Sequence, residues 1–189
     1  MSIDITTGNP VRHVATFYSS GIWTAPISAT KAFVSVHGAT GGGGGPSNSG
    51  PGGAGGTGVV ASGWVQLTPG GTHLVTIGAG GSGGSYLNAN NGYSGSGGGT
   101  TTFDGAILGY GSAGGQGATS RYGGGGQGSA GSSFAFTSLS TVSPGPNTLA
   151  RVNGSSSQNS GGTAGGAGSN SGSGNVGSPG SAGFVHVYI

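Results

Sequence analysis

The chain has no cysteine and no glutamate, and only six of its 189 residues are charged: Asp4, Asp104, Arg12, Lys31, Arg121 and Arg151. Without cysteine there is no disulfide framework and no thiolate site. With a net charge of +2 and no cluster of Lys or Arg, there is no patch to neutralise phosphates, which argues against nucleic acid as a partner. No stretch of 18 apolar residues occurs, so no membrane insertion is expected. The start, MSIDITTGNPVRH, lacks the apolar centre of a secretion signal. If the protein acts outside its cell of synthesis, it is expected to leave by another route. The apolar share of 31% is below the usual value, which argues against a large Leu and Ile core.

What the chain has instead is glycine, 51 residues of it. Much of it recurs at spacing three: Gly50, Gly53, Gly56; Gly52, Gly55, Gly58; Gly78, Gly81, Gly84; Gly92, Gly95, Gly98; and Gly111, Gly114, Gly117. The series continues in Gly125, Gly128, Gly131; in Gly162, Gly165, Gly168; and in Gly174, Gly177, Gly180, Gly183. Three is neither the helix nor the strand period. It is the period of the polyproline II conformation, which has no internal hydrogen bonds. Segments with glycine on one edge can lie flush together and pair their outward N–H and C=O groups. Glycine is costly to order, so such rods need a scaffold. Composition alone would also suit disorder, but apolar runs punctuate the glycine.

Those runs supply the scaffold. HVATFY, from His13, reads as a strand; Ser19–Ser20–Gly21 is a turn, and IWT stops at Pro26. In KAFVSVH, residues 31–37, Ala32, Val34 and Val36 share one face. VVASGWVQLTPGGTHLVTIG gives two strands around the turn Thr68–Pro69–Gly70–Gly71. The chain closes on the apolar strand GFVHVYI. No window shows a sustained helical pattern, and the glycine density opposes one. The expected fold is all-β with no α-helix: a small sandwich-like platform from strands at 13–24, 31–38, 59–77 and 183–189, combined with a bundle of polyglycine II segments joined by loops at a far end. Residues 1–12 fit a tail, an attachment peptide or an edge strand, and 13–189 read as one domain.

The stretch TFYSSGIWTAPISATKAFVSVHGATGGGGG, followed by WVQLTPGGTHLVTIGAGGSGG, resembles the glycine-rich domain at the ends of bacteriophage tail fibres and related tail-tip proteins. The matching positions are Phe17, Gly21, Trp23, Thr24, Pro26, Val34, Val36, Gly38, Thr68, Pro69, Gly70, Val75, Thr76, Ile77, Gly78, Gly80 and Gly81. The last seven residues are similar to that family's closing strand. A looser similarity reaches the adhesins of T-even-like tail fibres, in which loops between packed polyglycine II rods carry specificity. The resemblance implies a virion protein on the particle surface that binds a bacterial surface receptor, an outer-membrane protein or a polysaccharide. It further implies other tail proteins as partners and a homotrimer. The alternative is a structural virion part, such as a capsid fibre or decoration protein without receptor contact.

Catalytic signatures are weak. Gly78-Ala79-Gly80-Gly81-Ser82-Gly83 fits a dinucleotide fingerprint, but no helix pattern follows. Gly80-Gly81-Ser82-Gly83-Gly84 fits a nucleophile elbow only formally. Asp4 and Asp104 alone could orient a histidine or act as a carboxylate pair. His13, His37, His73 and His186 lack tight ligand spacing and read as isolated strand histidines. Trp23 and Trp64 read as core anchors. No enzyme activity, cofactor or metal is therefore expected. The candidate receptor-binding residues are Tyr86, Asn88, Asn90, Asn91, Tyr93, Arg121 and Tyr122, since tyrosine and asparagine suit adaptable binding loops.

Overall fold

The computed structural model describes residues 12–48, 50–88, 91–118 and 176–189. Ten strands are present among them: β1 (His13–Phe17), β2 (Gly21–Thr24), β3 (Lys31–His37), β4 (Val60–Gln66), β5 (Thr72–Thr76), β6 (Tyr86–Asn88), β7 (Asn91–Gly92), β8 (Thr101–Phe103), β9 (Ile107–Gly109) and β10 (Phe184–Tyr188). No helix occurs among the described residues. The class is all-β.

Two four-stranded sheets form a sandwich, in orders β1-β10-β3-β4 and β2-β5-β8-β9, with every pair antiparallel. The alternation in β3 buries Ala32, Val34 and Val36, and that in β10 buries Val185 and Val187. From the second sheet Trp23, Val75, Phe103 and Ile107 pack against them. The core is small and made mostly of Val and Ala, as the low apolar share requires. The hairpin β8–β9 belongs to this sandwich, although residues 100–111 show no clean alternation in sequence. Its turn carries two left-handed residues, Asp104 (φ 52°) and Gly105 (φ 64°), and closes with Ala106 N–H donating to the Phe103 carbonyl at 3.0 Å. The Thr68–Gly71 turn closes between Thr68 O and Gly71 N at 2.8 Å, with Gly70 at φ 73°, as a type II turn demands of its third residue.

Beyond the sandwich the glycine tracts run side by side. Residues 38–47 continue β3 outward and form the axis. The amides of Gly38, Gly41, Gly44 and Ser47 donate to the carbonyls of Val59, Gly56, Gly53 and Gly50. Those of Ala39, Gly42 and Gly45 donate to Gly99, Ser96 and Tyr93. Those of Thr40 and Gly43 donate to Ser181 and Ser178. The axis also accepts: Ser112, Gly115 and Ala118 donate to the carbonyls of Ala39, Gly42 and Gly45, and Gly81 and Gly84 to those of Thr40 and Gly43. These bonds measure 2.7–3.2 Å.

Successive amides thus point in three directions, and each direction returns after three residues, the period of the polyproline II conformation. Five rods flank the axis. Those at 50–59, 92–99 and 177–183 run against it, and those at 78–84 and 110–118 run with it. The outer rods also pair with one another: Gly92, Gly95 and Gly98 donate to Ala118, Gly115 and Ser112, and Gly177, Gly180 and Gly183 to Gly84, Gly81 and Gly78. Residues 38–47 are all buried, and Thr40 and Pro46 are the largest residues among them. The few side chains within are bonded; Ser112 Oγ accepts from Gly41 N at 2.8 Å and donates to the Gly56 carbonyl at 2.5 Å. The tracts around Gly125–Gly131 and Gly162–Gly168 lie outside the described residues.

Candidate surface at the far end of the rods

The rods place the chain's connections at the end remote from the sandwich. The axis turns back at Ser47, whose amide meets the Gly50 carbonyl. The rod at 78–84 ends at Ser85, which bridges Val176 and accepts from Tyr93 N at 2.8 Å. β6 and β7 form a short hairpin there, with Tyr86 paired to Gly92 and Asn88 to Asn91. Gly92 N donates to the Ala118 carbonyl at 2.8 Å, which brings the end of the 110–118 rod to the same place. The opposite end of the molecule carries Arg12 and Ile189, whose backbones pair in both directions at 2.7 and 2.9 Å.

Of the loop residues singled out from sequence, Tyr86, Asn91 and Tyr93 come together at this far end. Tyr93 is 54% exposed, while Tyr86 and Asn91 are half-buried. The backbone of Asn88 lies in β6. Asn90, Arg121 and Tyr122 lie outside the described residues. The sequence reading missed Leu87 (43% exposed) and Val176 (59% exposed). Leu87 had a signal, as the one large aliphatic residue in SYLNANNGY; Val176 had none, because only the bridge to Ser85 carries it there. Asn48, in the turn of the axis, is exposed as well. Among the described residues this surface bears no charged side chain. It offers tyrosine rings, an aliphatic pair and amides, which suit contact by shape and hydrogen bonding.

The motifs with catalytic echoes are absorbed into the rods. Residues 78–84 run as one rod with no helix after it, so neither the dinucleotide turn nor a nucleophile elbow is formed there. Ser82 instead meets Ser96, through N–H to Oγ at 2.7 Å and Oγ to Oγ at 3.0 Å.

Two expectations from sequence are corrected. His73 is not isolated: its Nδ1 lies 2.5 Å from Asp104 Oδ2, and Asp104 Oδ1 accepts from Leu74 N at 2.7 Å. Its ring stacks on Phe103 and tilts against Trp23, and Nε2 is buried without a partner among the described residues. Asp104 reaches it because the left-handed turn after β8 aims the carboxylate back at β5, a geometry that spacing in sequence does not reveal. Trp64 is not a core anchor, unlike Trp23: it is 42% exposed on the outer face of the first sheet, opposite Phe33. His37 and His186 also meet on that face, with ring centroids 5.8 Å apart. Among the described residues no three His, Cys, Asp or Glu side chains converge, and no helix is long and apolar enough to cross a membrane.

No family model and no curated protein matches the chain.

Proposed function

We propose that the protein is a non-catalytic receptor-binding component of a phage tail fibre or tail tip, exposed on the virion. The observation that carries this reading is the gathering of Asn48, Tyr86, Leu87, Asn91, Tyr93 and Val176 at the end of the rods remote from Arg12 and Ile189. Rods locked by backbone hydrogen bonds hold these loops away from the sandwich at little cost in mobility. The partners are a bacterial surface receptor at the far end and other tail proteins at the near end. Weak single contacts would be reinforced by several copies per particle, in a homotrimer or otherwise, through effective concentration.

The test is adsorption. Purified protein is expected to bind susceptible cells and to compete with the phage for them. Tyr93→Ala together with Leu87→Ala is expected to abolish competition without moving the melting temperature. Absence of competition at saturating wild-type protein would count against the reading. Deletion that leaves adsorption normal but weakens the particle would favour a structural virion part instead.

A further inference from the structure

The axis has six sides, and the described rods lie on five of them. In the polyproline II conformation each residue turns the chain by a third of a circle, so three amide directions alternate with three carbonyl directions. The axis amides go to the rods at 50–59, 92–99 and 177–183, and its carbonyls accept from those at 78–84 and 110–118. Bonds between the outer rods give their order around it. The rod at 50–59 donates to that at 110–118, which also accepts from 92–99; the rod at 92–99 donates to 78–84, which also accepts from 177–183. Among the described residues no backbone hydrogen bond closes this ring between 177–183 and 50–59.

The third carbonyl set of the axis points to that sixth side. A Cβ built on Gly52 or Gly177 would crowd the Gly44 carbonyl oxygen, and one on Gly55 or Gly180 that of Gly41. These two oxygens therefore lie between the two rods. Both glycines are buried, yet no amide of the described residues donates to either carbonyl. The rod at 50–59 repeats the pattern. Its amides at Gly53 and Gly56 go to Gln116 and Ala113, while Ala54 and Thr57 take the half-buried outer side. That leaves Gly52, Gly55 and Gly58, which are buried and donate to no described residue. Buried backbone groups left unmet are costly. These recur at spacing three on two adjoining walls, and a further polyproline II run meets both sets at their own period.

We infer that the chain's own tract of Gly162, Gly165 and Gly168 docks on this sixth side, with its amides on the Gly41 and Gly44 carbonyls and its carbonyls on the Gly52, Gly55 and Gly58 amides. Chain connection selects it. Rods joined at the far end lie side by side: 38–47 with 50–59, and 78–84 with 92–99. The tract leads into the rod at 177–183 through Val176, which bridges Ser85 at the far end. The same arrangement puts the tract beside that rod, on the side where buried acceptors await donors, and running with the axis. The tract at 125–131 instead follows the rod at 110–118, which lies across 50–59 from the sixth side. The assignment does not rest on receptor binding by the far-end loops.

Amide exchange followed by NMR on the intact chain tests it. In wild type the Gly55 amide is expected to exchange at least about a hundredfold slower than the exposed Gly97. Gly165→Val puts a side chain into the packed tract. It is expected to speed exchange at Gly52, Gly55 and Gly58 about tenfold more than at Gly53 and Gly56, whose partners lie on another rod. That contrast separates undocking of the tract from a general loss of stability, and Gly165→Ala reads it at lower strain should the valine variant fail to fold. Gly128→Val is expected to leave Gly55 no more accelerated than Gly53. Gly55 exchanging as fast as Gly97 in wild type, no contrast in either Gly165 variant, or the contrast arising from Gly128→Val would overturn the assignment. So would protection of Gly55 that falls on dilution, which would give the sixth side to a second copy of the chain.

Discussion

The amide of Gly44 donates to the carbonyl of Gly53 at 2.7 Å, and one triplet back Gly41 meets Gly56 at 3.0 Å. The two rods can approach this closely because neither has a side chain in the way. A Cβ on Gly44 would instead fall inside the contact distance of the Gln116 carbonyl oxygen, on a third rod. Backbone cannot swing aside as a flexible side chain does.

Gly44→Ala is therefore expected to destabilise the protein by about 3 kcal/mol, the upper range for overpacking. Gly21→Ala is the control, because a Cβ there meets nothing within 4 Å. Urea denaturation should show a lower midpoint for the first and no loss for the second. Equal midpoints would mean that the axis is not packed as described.

The spacing of three was legible in the sequence because it is a backbone property, repeated wherever glycine falls on the shared edge. The alternation in β3 was legible for the same kind of reason: one face is buried and the other is not. The order of the rods around the axis was not, since glycine carries no mark of its neighbour. Nor was the placement of Trp64, because its strand alternates Ala61, Gly63 and Val65 inward and leaves a large ring outside against the usual trend. Of the far-end surface, the loop around Tyr86–Tyr93 stood out by its tyrosines and asparagines, but Val176 joins it only through tertiary pairing.

Asp104 holds together three things: a left-handed turn, the His73 ring and the Leu74 amide. Asp104→Ala removes both hydrogen bonds and places a residue ill-suited to positive φ in the turn. The expected loss is about 2 kcal/mol. Asp104→Asn keeps an acceptor and tolerates the left-handed region, so it should cost less. Comparing the two in thermal melts checks the ranking; equal losses would assign the whole effect to the charge.

His37 gives the first sheet a dependence on acid. Burial, and then the neighbouring His186, push its pKa down from 6.5 to about 4. Between these values the unfolded chain binds a proton that the folded chain does not. Stability from this group is thus full above about pH 6.5 and is lost as pH falls toward 4. Because the ring is only half-buried, solvent screening limits the contribution to about 1 kcal/mol. Melting temperatures at pH 7 and pH 4.5 should differ less in His37→Gln than in wild type, and an unchanged difference would assign the acid sensitivity to other groups.

The amides of residues 41–45 each donate to a different side of the bundle in turn: Gly41 to the rod at 50–59, Gly42 to that at 92–99, Gly43 to that at 177–183, and so on around. Releasing any run of three therefore requires the axis to part from three rods at once, and no local fraying along one partner achieves this. Hydrogen exchange at these amides is expected to proceed only by global unfolding, with one common free energy equal to that from denaturant. The exposed Gly97 should exchange far faster. A graded series along 41–45, slowest beside the sandwich and fastest at the turn, would show instead that the rods peel away singly and that the far-end loops have no rigid mount.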